Sequence, residues 1–495
     1  MKNIKFIISL FMLALLTVVQ SCSEDFLVEY PTEKQAPGDI KKLADVEVVM
    51  NGAYNLMQSV GFLNSNFITR NDMRSDDMQV PDFGRLEDEY RYDYDEQNSV
   101  LSIWSTPYTI IRQVNNIIAM LEGMETESAG DQAKKDDMIG QCLAIRALAH
   151  FSLCNSYGLP YSHNAGESLG VPIVTTVLPK DAQVKRSTVA QVYEQIIKDL
   201  TTAIPLLSEA KKGGKINSWA AKTLLARVFL YKEDNAKAYE TAVDVIKEGP
   251  YTLLKRSEYV DAWAEEFNSE SIFSCVNSAA DNGGGNSVAN LSDPEGYGQF
   301  IASQDLIDLV NSDPDDIRNE MLYIDQLSVM GDPTTYGRVL KYPGIGNTKA
   351  VVVAHFESEG DPKPDLVSAA TTSNVPIFRL SELYLIAAEA AVKGGGEDAA
   401  TYLNAIVERA NPAASVAEAD VTLDRVLTER RKELMAEGHR FFDLIRNKRD
   451  IVRTECARTA HMTARMHIPY DDYQVVFAIP LEEILINPLT QNPVY

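Results

Sequence analysis

Apolar residues recur along much of this chain at the three- and four-residue spacing of an amphipathic helix, which predicts a mainly α-helical protein. Four stretches show this spacing most clearly: 44–60, 103–121, 138–157 and 188–207. The last stretch opens with Thr188 and Gln191, the two positions of a capping box in which side chain and backbone satisfy each other at a helix start. A helix beginning at this point is therefore expected.

Two further stretches predict pairs of helices joined by a short turn. The first pair covers 219–231 and 235–246 and is rich in alanine, so that the two backbones can approach closely. The second covers 376–392 and 397–410, with three glycines just before its second helix. Such hairpins resemble tetratricopeptide units, in which helix pairs stack and bury a shared core. The predicted fold is mainly α, with a tetratricopeptide-like helical-repeat scaffold.

The pattern changes between residues 251 and 375, where Gly, Pro, Asn and Asp recur. Residues 281–286 read DNGGGN, and 351–353 form a short β-like piece. We interpret 251–375 as a loop-rich lobe with minor β structure, inserted between helical regions at 41–250 and 376–495. Long loops in a compact protein are usually binding surfaces or disordered.

A second irregular stretch, residues 66–98, is dense in Asp and Tyr. Its aromatic residues favour a binding surface over disorder.

The N-terminus predicts a signal peptide at residues 1–21. Lys2 and Lys5 precede an apolar run over 6–19, which is shorter than the roughly 20 residues that a transmembrane helix needs. Cys22 follows a small residue, an arrangement that resembles the bacterial lipobox, whose cysteine is acylated. We therefore predict lipidation of Cys22 and a tether over 22–40; the alternative is an ordinary signal peptide with an incidental cysteine.

Charge and cysteine content narrow the range of partners. The formal net charge of −25 disfavours nucleic acid and anionic lipid headgroups and favours neutral or cationic ligands, unless it serves only solubility. No cysteine lies in a C-x-x-C pair, which argues against a zinc ribbon or a redox motif. Cys142 and Cys154 fall on helical patterns and are expected to pack as small apolar side chains. The residues predict no metal site and no cofactor, while the presence of a calcium ion or of a disulfide stays open.

The C-terminal third contains several consecutive motifs: RLSELYLIAAEA at 379–390, YLNAIVERA at 402–410, ERRKEL at 429–434, EGHRFFDL at 437–444 and IP…NP…QNP over 479–493. These motifs resemble those of the SusD/RagB family of outer-membrane lipoproteins. Weaker similarities lie at 52–54, 75–77 and 146–158, so the resemblance extends over nearly the whole mature chain. Val407 and Val494 depart from the family pattern.

The resemblance implies a lipid-anchored outer-membrane protein that faces the cell exterior. Such a protein binds oligosaccharides without catalysis and passes them to a TonB-dependent, SusC-like transporter. The acidic residues 23–25 resemble the surface-export signal of Bacteroidota lipoproteins. A peptide-binding, RagB-like receptor is the main alternative, and nothing in the residues decides between the two ligands. A glycan hydrolase is less favoured.

The charged residues of the C-terminal motifs allow two interpretations. On one helix, Arg430, Glu433, Glu437 and Arg440 would face the same way. Paired carboxylates could serve a glycosidase, but we favour a half-buried ion network, because the arginine fork pairs well with carboxylates. The predicted network comprises Arg379, Glu389, Glu429, Arg430, Glu433, Glu437 and Arg440.

Sugar recognition needs flat aromatic faces together with planar polar side chains. The candidate ligand-binding residues are Asn66, Asp72, Arg74, Tyr90, Tyr92, Trp104, Asn290 and Tyr297, and the same loops also offer Phe83, Tyr94, Asn286 and Gln299. The resemblance implies that loops of these two regions build the ligand face, on the side away from the repeats. We interpret Asp76 and Asp77 as loop-capping acids rather than ligand contacts. For Trp104, packing against Tyr108 and ligand binding are equally favoured interpretations.

Overall fold

The computed structural model describes residues 40–80, 84–329, 332–358, 360, 362–454 and 465–495. The predicted signal peptide, Cys22, all of the tether except residue 40, and Phe83 lie outside these residues. Within the described residues, the helices are either too short or too polar to cross a bilayer.

Helices dominate the structure, which confirms the predicted mainly α fold. In the N-terminal half they are α1 (Leu43–Met57), α2 (Asn66–Met73), α3 (Glu87–Arg91), α4 (Leu101–Glu122), α5 (Ala129–Tyr157), α6 (Tyr161–Asn164), α7 (Val189–Ala203), α8 (Ser218–Tyr231) and α9 (Asn235–Glu248). In the remainder they are α10 (Val288–Ser292), α11 (Gln304–Asn311), α12 (Lys349–Phe356), α13 (Leu380–Ala390), α14 (Ala399–Ala410), α15 (Leu423–Glu433), α16 (Arg440–Arg446) and α17 (Leu481–Ile486).

Local capping explains where several helices start. The predicted capping box at α7 is present: the Thr188 side chain accepts from the Gln191 backbone, and the Gln191 side chain accepts from the Thr188 N–H. Helix α5 begins earlier than its apolar pattern indicated, because the Ser128 hydroxyl caps the chain by accepting from the backbone N–H of Asp131 at 3.1 Å. Each cap satisfies backbone donors that a helix start leaves without partners.

Close helix pairing builds the frame. Helix α8 packs on α9, α9 packs on α13, and α13 packs on α14. Five alanines on the first pair are fully or almost fully buried: Ala220, Ala221, Ala226, Ala238 and Ala242. Small side chains let the helix axes approach, and this packing is consistent with the predicted repeat scaffold.

The strands form small antiparallel sheets. They are β1 (Met78–Gln79), β2 (Ser271–Cys275), β3 (Ile301–Ala302), β4 (Leu322–Val329), β5 (Asp332–Val339), β6 (Val375–Arg379), β7 (Ile451–Val452) and β8 (His467–Ile468). The larger sheet has the order β1-β3-β5-β4, while β2 pairs with β6 and β7 with β8. The pairing of β1 with β3 joins the 66–98 stretch to the 251–375 region.

Three local predictions were wrong. Residues 376–379 form strand β6 rather than a helix start, because they pair with β2 along a buried edge. Residues 351–353 lie in helix α12, since a run of valines too short to show a period does not distinguish a strand from a helix. The 66–98 stretch is not irregular throughout: it contains α2, β1 and α3.

The C-terminal motif is also divided differently from the prediction. Helix α15 ends at Glu433, and α16 begins only at Arg440. Ala436 and Gly438 between them have φ values of 60° and 81°, the left-handed region that ends helices. Glu433 and Glu437 therefore do not lie on one continuous helix face.

Candidate functional site

Two distant segments of the chain meet beside strands β1 and β3. The backbone N–H of Ser303 donates to the Asp77 carbonyl at 2.7 Å, and its hydroxyl donates to the Asp76 carbonyl at 2.7 Å. Nearby, the buried Asn64 and Asn277 side chains bond each other at 2.9 Å and 3.2 Å. The two stretches proposed from the sequence as loop regions are thus held against each other.

Arg85 bridges these segments at the surface. Its Nη1 donates to Asn286 Oδ1 at 2.6 Å, and its Nη2 donates to the Tyr297 hydroxyl at 2.9 Å. Its backbone N–H donates to Gln299 Oε1 at 3.0 Å. The guanidinium carbon also lies 4.2 Å from the centroid of the Tyr297 ring, a cation–π contact. Sequence reasoning missed Arg85, because nothing near it indicates partners about two hundred residues away.

Tyr297 is the exposed aromatic residue of this surface, with 41% of its area accessible. Its backbone N–H donates to the Asn290 carbonyl at 2.9 Å, and Asn290 Nδ2 donates to the Gly285 carbonyl at 2.9 Å. A Cβ on Gly285 would lie only 3.1 Å from the Tyr297 hydroxyl, so glycine leaves room for the ring. The loop thus holds the Tyr297 ring in a position exposed to solvent.

We call Arg85, Asn286, Asn290, Tyr297 and Gln299 the exposed loop face. It combines an accessible aromatic ring with a guanidinium and three carboxamides. Such a set supplies an apolar platform for C–H groups and directional donors and acceptors for hydroxyls or amides. The surface is therefore suited to binding an uncharged polar ligand.

The other predicted ligand residues are mostly interior, which corrects the expectation of direct contact. Arg74 is fully buried; its guanidinium carbon lies 3.9 Å from the Phe441 ring centroid and 4.0 Å from that of Phe477. Tyr90 is 1% exposed, and the buried Tyr92 donates its hydroxyl to the Arg74 carbonyl. These three side chains offer a ligand almost no surface. Their aromatic and polar composition is typical of a binding surface, but the three side chains are buried in the interior.

Asp72 and Asn66 also have internal roles. The buried Asp72 accepts from the backbone N–H of Gly438 at 2.8 Å. Burial raises the pKa of Asp72 well above its usual value, and the Gly438 hydrogen bond only partly offsets this effect. Asn66 is half-buried and donates to the Ser102 hydroxyl at 2.8 Å. Asp72 thus binds neighbouring backbone, and Asn66 binds a neighbouring side chain.

Trp104 lies at a different place, in the wall of a cleft of about 380 Å³. The indole is 3% exposed and packs on Tyr108 and Tyr157, with ring centroids 5.1 Å and 4.9 Å away. Burial raises the pKa of Glu483 in the same cleft, and a hydrogen bond from Trp104 opposes that rise. Packing therefore accounts for Trp104, and it does not join the exposed loop face.

The seven residues proposed as an ion network all lie in or against the interior and are paired. Arg379 Nη1 is 2.7 Å from Glu433 Oε1, and its Nε is 2.7 Å from Glu437 Oε2. The remaining pairs are Glu389 with Arg446 at 2.6 Å, Glu429 with Arg318 at 2.6 Å, Arg430 with Asp443 at 2.8 Å and Arg440 with Asp76 at 2.7 Å. The network joins α13, α15, α16 and the segment after α2.

Glu433, at the centre of this network, is unsuited to acid–base chemistry. Burial alone would raise the pKa of Glu433, but Arg409, Arg379 and Arg318 outweigh it and hold the pKa well below its usual range. Glu433 is completely buried, so substrate has no access to it. A general acid needs a raised pKa and contact with substrate, and Glu433 has neither.

Asp76 and Asp77 fasten the base of the first loop segment. Asp76 accepts both Nε and Nη2 of Arg440, at 2.7 Å and 2.8 Å, and Asp77 pairs with Arg431. Burial would raise the pKa of Asp76, but Arg440 and Arg431 lower it to about 2. These acids connect the loop to the C-terminal helices.

Metal-ligating side chains do not cluster in threes anywhere among the described residues. Cys142, Cys154 and Cys275 are free and buried. Burial raises the pKa of each thiol to about 12, so these cysteines pack as apolar groups.

Comparison with known families matches both ends of the chain. A family described as "Starch-binding associating with outer membrane" matches residues 25–230, and one described as "SusD family" matches residues 341–495. A SusD-like protein from Bacteroides ovatus is 23% identical over 371 residues, which cover 69% of this chain and 64% of that protein. The match thus spans less than two thirds of that relative's length.

Solved structures extend the similarity across the fold. A SusD superfamily protein from Bacteroides vulgatus is 36% identical, with a TM-score of 0.82 over 92% of this chain and 99% of that chain. A laminarin-binding SusD-like protein is 23% identical, with a TM-score of 0.70 over 92% of this chain and 100% of that chain, and shares the fold. The matched residues and the superposition lead to one conclusion: this chain belongs to the SusD family.

Proposed function

We propose that this protein captures oligosaccharides at the exposed loop face and does not cleave them. The observation that carries the proposal is the solvent-facing Tyr297 ring, bordered by Arg85 and by the carboxamides of Asn286, Asn290 and Gln299. This composition matches the C–H faces and hydroxyls of a sugar. The laminarin-binding relative and the starch-binding family description support a glycan over a peptide.

We further propose that the protein acts at the outer membrane. Lipidation at Cys22 would tether it facing the cell exterior, where it would pass the captured glycan to a TonB-dependent, SusC-like transporter. The family description "associating with outer membrane" supports this location. The burial of Glu429, Glu433 and Glu437, each paired with an arginine, supports the proposal that the protein does not hydrolyse glycans.

Calorimetric titration against a panel of neutral oligosaccharides and peptides tests the ligand class, with product release measured on the same samples. We expect at least one oligosaccharide to bind, with a Kd of about 1 μM to 1 mM, and no new reducing ends to form. Binding of peptides alone would overturn the glycan assignment. Release of shortened sugars by the purified protein would overturn the non-catalytic assignment.

A further inference from the structure

His355, near the end of α12, lies beneath the loop that carries Tyr297. Its Nε2 is 3.0 Å from Glu295 Oε2, and its Nδ1 is 2.6 Å from the carbonyl oxygen of Pro364. The ring packs edge-on against Phe356, with the centroids 4.9 Å apart. Only 9% of the residue is accessible. Two contacts therefore fix the imidazole in one orientation.

Both partners of this ring can only accept hydrogen bonds. A carbonyl oxygen and an ionised carboxylate have no proton to give, whereas a neutral imidazole carries a single N–H. Only the doubly protonated imidazolium satisfies both contacts at once. In the neutral form, one ring nitrogen would point its lone pair at an oxygen acceptor. The geometry thus favours the protonated ring.

The charged groups around the ring are consistent with this state. Lys363 Nζ lies 2.9 Å from the other oxygen of Glu295. Lys363 and then His355 lower the pKa of Glu295, so this carboxylate remains ionised at neutral pH. On the adjoining strand, Arg338 lies 5.0 Å from the Phe356 ring centroid and 3.6 Å from Asp293. Lys363 opposes protonation of His355, and Glu295 promotes it.

Glu295 transmits the state of His355 to the exposed loop face, because it is two residues from Tyr297. Its loop turns at Asp293, whose carboxylate accepts from the Glu295 N–H and whose carbonyl accepts from the Gly296 N–H, both at 3.0 Å. We propose that His355 is a positioning residue whose protonation fastens this loop, so that ligand binding strengthens as the pH falls. The ligand-binding part of this inference rests on the proposed function.

The direction of the pH dependence follows from the contacts of His355. The Pro364 carbonyl and the Glu295 carboxylate raise the pKa of His355 above its ordinary value. We call the two hydrogen bonds of the protonated ring, to Pro364 and to Glu295, the clamp. The clamp is therefore complete below the ordinary histidine pKa of about 6.5. It is lost as the pH rises through the raised value. A loop that is ordered for only a fraction of the time lowers the apparent affinity by that fraction.

Titration of the best oligosaccharide at about pH 5.5 and about pH 8.5, on either side of the histidine range, tests the clamp. We expect the wild-type affinity to fall by about threefold or more at the higher pH. His355→Gln and Glu295→Gln should each bind with nearly the same affinity at both values. His467→Gln is the matched control: His467 is also paired with a carboxylate, Asp450 at 2.7 Å, and this variant should keep the wild-type dependence. Wild-type dependence in His355→Gln would overturn the proposal.

A measurement without ligand separates this inference from the proposed function. Hydrogen exchange of peptides covering 293–299, compared between wild type and His355→Gln at each pH, reports on the loop itself. We expect the wild-type loop to be better protected than the variant at about pH 5.5 and equal to it at about pH 8.5. If no sugar binds, this result still supports the clamp. Equal protection at both pH values would overturn the clamp even where sugars bind.

Discussion

At the scale of single residues, burial separates the side chains that face solvent from those that hold the frame. Arg74 and Arg85 are eleven residues apart, yet the first is completely buried between two phenylalanine rings and the second stacks on an exposed tyrosine. Composition could place both in a candidate region. It could not separate them, because exposure depends on partners hundreds of residues away along the chain.

Glu433 gives the sharpest test of the buried network. Glu433→Gln removes a charge that pairs with Arg379 at 2.7 Å and with Arg409 at 2.6 Å. Uncompensated buried arginines should lower the free energy of unfolding by about 3–5 kcal/mol, measured by chemical denaturation at pH 7. The pKa of Glu433 is lowered in the folded state, so the difference from wild type should narrow as the pH falls below about 4.3.

Glu47→Gln is the matched control for this variant. Glu47 pairs with Lys134 at 2.8 Å, but their side chains are 46% and 45% exposed. Removing such a solvated pair should cost less than about 1 kcal/mol. Similar costs for the two variants would contradict the claim that the C-terminal carboxylates are structural and buried.

At the scale of elements, helices with strong local signals were predictable, and elements set by distant pairing were not. The Thr188 capping box and the small-residue helices α8 and α9 need only neighbouring residues, and both appeared as expected. Strand β6 forms because β2, about a hundred residues earlier, is available to pair with it. The break at Glu433 depends on a left-handed turn at Ala436, a residue with no preference for that conformation.

Close contact between helix pairs predicts the effect of Gly395→Ala. A Cβ at Gly395 would lie 2.3 Å from the backbone carbonyl of Asn235, the first residue of α9. We expect the α9–α13 contact to shift and the free energy of unfolding to fall by about 1–3 kcal/mol, measured by thermal or chemical denaturation.

Gly52→Ala is the control for glycine replacement itself. Gly52 lies inside α1, where an added Cβ meets only the flexible end of Gln113 at 3.6 Å. This variant should be more stable by about 0.5–1 kcal/mol, because alanine favours the helix. Destabilisation by Gly52→Ala equal to that of Gly395→Ala would argue against a specific contact between the helix pairs.

At the scale of the whole molecule, paired helices form a frame to which the exposed loop face is joined. Ion pairs from Asp76 to Arg440 and from Asp77 to Arg431 fasten the first loop segment to the C-terminal helices. Strand β1 then brings this segment against β3 and the loop of Tyr297. The charged motifs of the C-terminal third thus account for how the exposed loop face is held, and they carry no information on which ligand the proposed site would bind.

The helical class was predictable from the spacing of apolar residues, and the family was predictable from the C-terminal motifs, because these motifs build the frame. The site was predictable only in part. Tyr297, Asn290, Asn286 and Gln299 stood out as aromatic or carboxamide groups in a glycine-rich region. Arg85 did not, because its role exists only once the chain has folded against that region.

A crystal structure of the protein with its best oligosaccharide would show whether the exposed loop face binds the sugar. We predict a sugar ring against the exposed side of Tyr297, with hydroxyls bonded to Arg85 or to the neighbouring carboxamides. The buried network around Glu433 should remain unchanged. A sugar bound in the cleft beside Trp104, with the exposed loop face empty, would show that the exposed loop face is not the binding site.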